Sequence, residues 1–475
     1  MRKVGRWLVV GLFCALIITG VANAAPPEWW KKAAAPYKGV TIRGVSESTP
    51  PSKAIIEHAV PLFEALTGIN VEFEVTSWDE MYTKSIADLS RGTGIYDFVY
   101  VEQDIIYAYL VKNWLTDLTA FMKKYPQLTD PDFDIEDFTT FINYFKDAKG
   151  HVFGIPFEAF LKSYVYRKDL FNDPEIRAAF KSEYGWDLRP PKDWDEYTQI
   201  AKFFTTWGKK KGIDLYGHVA QAKTHPCVAY EMVESIWPAW GIYNWGINLD
   251  KWRATVENGG TLNSKRAKEA LRWYVDILKY APPGVRTYTW DETAATVATG
   301  KVAQGLIYLE NLGWIQLDTT RSAVTGKIGV ALPPTYPGVM SEAVRGLGYI
   351  GYYDGGAFGI PHSSKNKEAA WLFIQWATRK EWAPKFAELA GRVCRKSTFE
   401  SHEIKTLNVK LSGYFDMMKE KEFLFAGAPP LPMHRPLNEL YLKWISKAVA
   451  GEVDPDTALD LLAKEVDKLL MELGY

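Results

Sequence analysis

The chain has 475 residues, with 56 Lys and Arg against 57 Asp and Glu, a formal net charge of −1. That balance leaves no basic field for nucleic acid, and the length calls for two lobes or domains, each with its own core. Aromatic content stands out, at 19 Trp and 26 Tyr: packing claims most of them, and the surplus suits stacking on the flat apolar faces of a ligand.

The first residues read as an export signal, 1–24. Arg2, Lys3 and Arg6 precede an apolar run from Trp7 to Val21, and Ala22-Asn23-Ala24 offers the small residues of a cleavage site, with cutting expected after Ala24. The run is shorter than the roughly 20 residues a membrane span needs. Cys14 follows Phe13, where a lipoprotein signal requires a small residue. The mature chain keeps Cys227 and Cys394, and spacing does not decide whether they pair.

From Val40 to Val45 the chain reads as a strand. A turn from Glu47 to Ser52 follows, then a helix from Lys53 to Thr67 capped by Ser52, with Ile55, Ile56, Ala59, Leu62, Phe63 and Leu66 on one face. Ile69–Val75 alternates as a second strand, so the unit predicts a parallel crossover. Trp78 opens the next helix, which stops at Gly92. Tyr96–Val101 is a buried strand, and Glu102-Gln103-Asp104 lies beyond its carboxyl end, where open α/β sheets bind ligands. Asp130, Asp132 and Asp134 imitate a calcium loop, but Ile135 replaces its Gly and no Glu stands at the twelfth position, so no metal is expected.

Gly150–Phe171 reads as two extended runs, VFGIP and KSYVYR, joined by a short segment carrying Glu158. Asp193 caps a helix from Glu196 to Thr206 after Pro190-Pro191, and Tyr216–Val219 is a short strand. Trp237 and Trp240 stand three apart before a Gly-bearing loop. Lys265–Leu278 and a segment from Asp291 read as helices; the strand Gly305–Leu309 ends in Glu310-Asn311-Leu312-Gly313-Trp314. Gly346-Leu347-Gly348-Tyr349-Ile350-Gly351 matches a dinucleotide fingerprint by letter and fails on context, because Tyr352–Gly356 cannot open a helix. A strand through Gly356 and Phe358 leads to a helix near Trp371. The tail carries Arg395 and His434 before two closing helices, from Leu437 to Ala450 and after Gly451.

Several of these stretches together resemble the family 1 extracellular solute-binding proteins, the maltose-binding-protein-like sugar receptors of ABC importers. They are FEALTGINVEFEV, Pro190–Tyr197, the Gly300-Lys301-Val302-Ala303 turn with its strand and Trp314, and Ser363–Trp371. The tail departs from the family's Pro-Arg-x-Ser-like turn by placing Cys394 near the expected Pro. The resemblance implies an α/β, two-lobed periplasmic binding protein fold (type II). Lobe 1 would take 37–157 and 333–376, lobe 2 would take 162–329 and 380–475, with hinges near 157–162, 329–333 and 376–380. It further implies a periplasmic monomer that binds a carbohydrate and presents it to ABC permease subunits, with no enzymatic activity, cofactor or stable membrane insertion.

The expected ligand set is Glu47, Trp78, Glu102, Gln103, Asp104, Glu158, Trp237, Trp240, Asn311, Trp314, Gly356, Phe358, Arg395 and His434, with Trp314 the first choice for stacking. Carboxylates and amides would take sugar hydroxyls while aromatic rings take the faces. The competing expectation is a secreted glycoside hydrolase, which needs two carboxylates about 5–9.5 Å apart. No Gly-x-Ser-x-Gly, His-Glu-x-x-His, Cys-x-x-Cys or phosphate loop is present. No cluster of Arg or Lys marks a predicted cleft loop, which argues against a phosphate-bearing ligand.

Overall fold

The computed structural model describes residues 25–390 and 392–475; the export signal expected at 1–24 lies outside them. Strands β1 (Thr41–Glu47) and β2 (Asn70–Thr76) pair in parallel, as the crossover predicts. The helical segment between them starts earlier than expected, at Pro50. Its cap is Thr49, whose side chain accepts from the Ser52 backbone at 3.3 Å, while the Ser52 hydroxyl meets that of Ser46 at 2.9 Å. Pro50 and Pro51 suit a first turn because their missing N–H groups would find no partner there. A π turn, Ile55–Ala59, then interrupts the segment before its last part, Val60–Thr67. Pro61 cannot donate to the carbonyl of Glu57, and the widened turn absorbs that loss.

β3 (Phe98–Glu102) lies parallel to β1 and antiparallel to β7 (Gly351–Gly359). The segment expected as two runs is one strand, β4 (Ile155–Arg167). Its residues from Ile155 to Leu161 pair with β7, with a bulge between Pro156 and Glu158. From Lys162 onward it pairs with β5 (Gln304–Tyr308), and from Tyr164 with β6 (Ile328–Ala331) as well. Continuous pairing satisfies the backbone of a strand whose first eleven residues are buried. β8 (Phe425–Ala426) joins the start of β7, and the main path runs β2-β1-β3-β7-β4-β5.

The expected strand at Tyr216–Val219 is reduced to a bridge between Tyr216 and Val302. Gly217 passes so close to the helix Trp194–Lys211 that a Cβ would stand 1.9 Å from the Ala201 carbonyl oxygen. That helix is longer than predicted at both ends, and Asp193 caps it as expected, accepting from Glu196 at 2.8 Å. The remaining predicted helices fall at Trp78–Arg91, Lys265–Ile277, Trp290–Ala298, Lys367–Thr378, His434–Ala450 and Pro455–Glu472. Cys227 and Cys394 are both free thiols.

One apolar core runs through the sheet and the helices on its faces; a smaller cluster gathers around Phe171, Phe180 and Phe204. Phe63, Phe73, Phe98 and Phe373 pack around β7, where Phe358 stacks on Phe157 with ring centroids 3.9 Å apart and planes 4° from parallel. Phe358→Ala is therefore expected to lower unfolding stability by about 3–5 kcal/mol, read from urea denaturation of the mature chain.

Candidate ligand-binding cleft

Strands β1 and β3 deliver acidic residues at their carboxyl ends. Glu47 closes β1, Glu102 closes β3, and Gln103 and Asp104 follow it. Trp78 begins the helix that follows β2, and Ser77 caps that helix. The Trp78 indole Nε1 donates to Glu102 Oε2 at 2.8 Å, and its ring stacks on Tyr82 at 5.3 Å. These groups form one wall.

A facing wall comes from residues 225–236, 290 and 308–310. Tyr230 ends the short helix Pro226–Tyr230, and the next turn, Glu231–Ile236, is wound as a π helix. The two walls touch. The Tyr230 hydroxyl donates to Asp104 Oδ2 at 2.8 Å, and His434 Nε2 stands 2.9 Å from the same oxygen. Trp290 meets Trp78 edge to face at 6.2 Å, and His225 Nε2 lies 3.2 Å from Asp79.

β4 supplies the floor. Alternation along a strand puts Glu158, Phe160 and Lys162 on one face. Glu158 accepts from the Thr49 hydroxyl at 3.0 Å and pairs with Arg392. Arg392 lies over the Phe160 ring at 4.4 Å and reaches Glu310 at 3.5 Å. Lys162 Nζ is 2.9 Å from Glu231, 3.4 Å from Glu234 and 4.3 Å above the Tyr308 ring, while the Tyr308 hydroxyl donates to Glu234 at 2.6 Å. Asp354, on β7, accepts from Gln103 Nε2 at 3.4 Å.

So many carboxyl groups in so little water repel one another's charge. Burial, then the neighbouring Glu158, raises Glu47 to about 8. Burial, then Asp104, raises Asp354 to about 6, and burial raises Glu310 to about 7 against the pull of Arg392. Glu102 is driven well up by burial and by Asp104; Glu234 is driven well up by burial and by Asp354. Asp104 goes the other way. Burial opposes its charge, but His434 and the Tyr230 hydroxyl hold it below the usual carboxylate range.

Of the residues expected from sequence, Glu47, Trp78, Glu102, Gln103, Asp104, Glu158 and His434 come together here. Gly356 lies alongside, paired with both Glu102 and Glu158, and a Cβ on it would stand 2.1 Å from the Tyr100 ring. The others sit elsewhere or are already engaged. Trp237 is fully buried against Tyr441, and Trp240 packs with Trp194 and Tyr336. Phe358 belongs to the phenylalanine stack. Arg395 braces the backbone, donating to the carbonyls of Thr378 at 2.7 Å and Asp134 at 3.0 Å above the Phe138 ring. Asn311 accepts from the Trp314 indole at 2.9 Å, and Arg321 covers one face of Trp314 at 4.5 Å.

Sequence reasoning passed over Phe160, Lys162, Tyr230, Glu231, Glu234, Tyr308, Glu310, Asp354 and Arg392. Two signals were present. Choosing Glu158 implies its period-two neighbours, and two Glu inside the apolar run CVAYEMVESIW call for buried partners. A separate groove of about 690 Å³ is lined by Asn113, Phe121, Lys124, Tyr125, His362 and Lys365, among others, and none of the cleft residues borders it.

An α/β molecule with its polar aromatic cleft at the strand ends is the design of a solute receptor. The chain belongs to the family of bacterial extracellular solute-binding proteins, whose family model matches residues 46–384. A solute-binding protein from Agrobacterium radiobacter K84, solved with ribitol, superposes with a TM-score of 0.73 at 24% identity, covering 91% of this chain and 99% of that one. That likeness makes the fold the two-lobed type. The erythritol/L-threitol-binding protein of Mycolicibacterium smegmatis is 23% identical, over 82% of this chain and 76% of its own length. The mannitol-binding protein of Pseudomonas aeruginosa is also 23% identical, over 87% and 89%.

The raised carboxyls make stability depend on pH. A carboxyl whose folded value lies above the unfolded one, about 4.3 for Glu, contributes fully below that unfolded value. The contribution is lost as pH rises through about 7 for Glu310 and about 8 for Glu47. The ligand-free protein is therefore expected to melt at a higher temperature at pH 5 than at pH 8, and Glu47→Gln to flatten that dependence, both read by differential scanning calorimetry.

Proposed function

We propose that this chain is the periplasmic receptor of an ABC importer, and that it binds a sugar or polyol between its lobes and hands it to the permease subunits. The observation that carries this reading is the cleft. Carboxylates from both walls face one another among Trp78, Tyr230, Tyr308 and Trp290. Carboxylates accept hydrogen bonds from hydroxyls, and indole and phenol rings cover the apolar faces of a carbon chain or ring. Relatives named for erythritol, threitol and mannitol, and the ribitol-bound neighbour, support a polyhydroxylated ligand.

The hinge reading rests on β4. Its change of partners between Leu161 and Lys162 falls in the 157–162 segment taken as the first crossing, and β6 ends within 329–333. Among the described residues, no helix is long and apolar enough to cross a membrane. A receptor of this kind would reach the importer from outside the bilayer and close by a hinge rotation around its ligand.

A thermal-shift screen of the mature chain against erythritol, ribitol, mannitol, maltose and their relatives tests the proposal. A ligand that binds only the folded state raises the melting temperature in step with its concentration. At least one of these is expected to do so and to be recovered unchanged. Trp78→Ala should weaken that ligand at least tenfold, about 1.4 kcal/mol, and Trp314→Ala should weaken it less, because Trp314 already has Asn311 and Arg321 on it. A screen with no shift, or a sugar recovered cleaved, would overturn the receptor reading.

A further inference from the structure

Positive charge is scarce in the cleft, and what there is has been spent. Lys162 serves Glu231 and Glu234, Arg392 serves Glu158 and Glu310, and His434 serves Asp104. Among the described residues, Glu47, Glu102 and Asp354 have no cation within ion-pair distance. Three of the neutral donors are engaged too: the Trp78 indole on Glu102, the Tyr230 hydroxyl on Asp104, the Tyr308 hydroxyl on Glu234.

Acceptors are in surplus. Asp104 Oδ1, Glu158 Oε1 and Glu310 Oε2 are buried with no hydrogen-bond partner, on residues that are 5%, 0% and 8% exposed. Arg392 Nε and His434 Nδ1 are the unpartnered nitrogens beside them. A buried oxygen without a donor costs about 1–3 kcal/mol, more when charged, so a ligand that closes this cleft has to bring donors.

A neutral hydroxyl brings one donor and two lone pairs of its own, and besides Arg392 Nε and His434 Nδ1 only those carboxyls that hold a proton donate to such lone pairs. An ammonium brings three donors, no acceptor and a positive charge. It also suits the rings of Trp78, Tyr230 and Trp290, which are grouped against one another, since a cation is attracted to an aromatic face.

We infer that the cleft prefers a polyhydroxylated ligand bearing a protonated amine, an amino sugar or aminated polyol, over the corresponding neutral compound. This rests on the receptor reading and narrows it. Hydroxyls would occupy part of the ring of carboxylates, and the ammonium would sit beside Glu102 and Asp354, which have no cation of their own.

Calorimetric titration of the mature chain at pH 7 with matched pairs tests this: sorbitol against 1-amino-1-deoxysorbitol, and glucose against glucosamine and N-acetylglucosamine. The aminated member of at least one pair is expected to bind ten times tighter or more, and acetylation to abolish the gain. A cation entering the cleft also drives protons off raised carboxyls. Its apparent enthalpy should therefore change with the ionisation enthalpy of the buffer, and that of the neutral partner should change less. Glu102→Gln and, independently, Asp354→Asn should each reduce the preference for the amine while leaving a folded protein by circular dichroism. Neutral members binding as well as or better than their amines would overturn the inference and leave the receptor standing. Failure of both members of every pair, and of every compound in the screen above, would remove the receptor reading and this inference with it.

Discussion

Strand β4 has to belong to two neighbourhoods at once, and the cleft exists because it does. Its first half is held by β7, its second half by β5 and β6, and nothing interrupts it except the bulge beside Glu158. The pleat then places Glu158, Phe160 and Lys162 in a row. Each draws in one element of the cleft: Arg392 comes over the first two, and Glu231, Glu234 and Tyr308 gather on the third. Were the strand broken into two runs with a loop between them, this row would have no register.

The electrostatics follow from that row. Three groups able to carry positive charge are each buried, and a buried cation holds its place only when carboxylates surround it. Lys162 shows the balance: burial disfavours its charge, and Glu231 and Glu234 outweigh burial, so it stays a cation. Asp104 is the matching case among the acids, kept ionised by His434 and Tyr230. Where burial outweighs such help the cost appears as a readily accepted proton: Glu47, with no cation beside it, is raised to about 8, and Glu310 to about 7 in spite of Arg392.

Much of this architecture was legible in the sequence, because it is written in local signals. Period-two alternation found β2, a continuous apolar run found β3, glycine stops found the ends of the helices at Gly68 and Gly92, and Asp193 announced its helix. The wall built from strand ends was also readable, since Glu102-Gln103-Asp104 lies beyond the carboxyl end of a buried strand, where open α/β sheets bind ligands. The opposite wall was not. Tyr230 and Glu234 lie more than a hundred residues from Glu102 and Asp104, and the π turn that aims Glu231 and Glu234 at one lysine has no sequence signature. Tryptophan was the misleading residue: Trp237 and Trp240 have the spacing of a displayed pair, yet both are packed among other aromatic rings. Arg395 and Arg392 are three apart, and only the fold tells that the first braces backbone while the second enters the cleft.

The contact between the two walls has one more consequence. Acidic groups line both banks, Glu47, Glu102 and Asp104 on one and Glu234 and Glu310 on the other. Burial and mutual repulsion leave Glu47, Glu102, Glu234 and Glu310 readily protonated, so the banks meet mostly as neutral carboxyls, while Asp104 alone is held ionised by Tyr230 and His434. The seam is fastened at one point and discharged at the others, a proton standing wherever a counter-ion would otherwise be required.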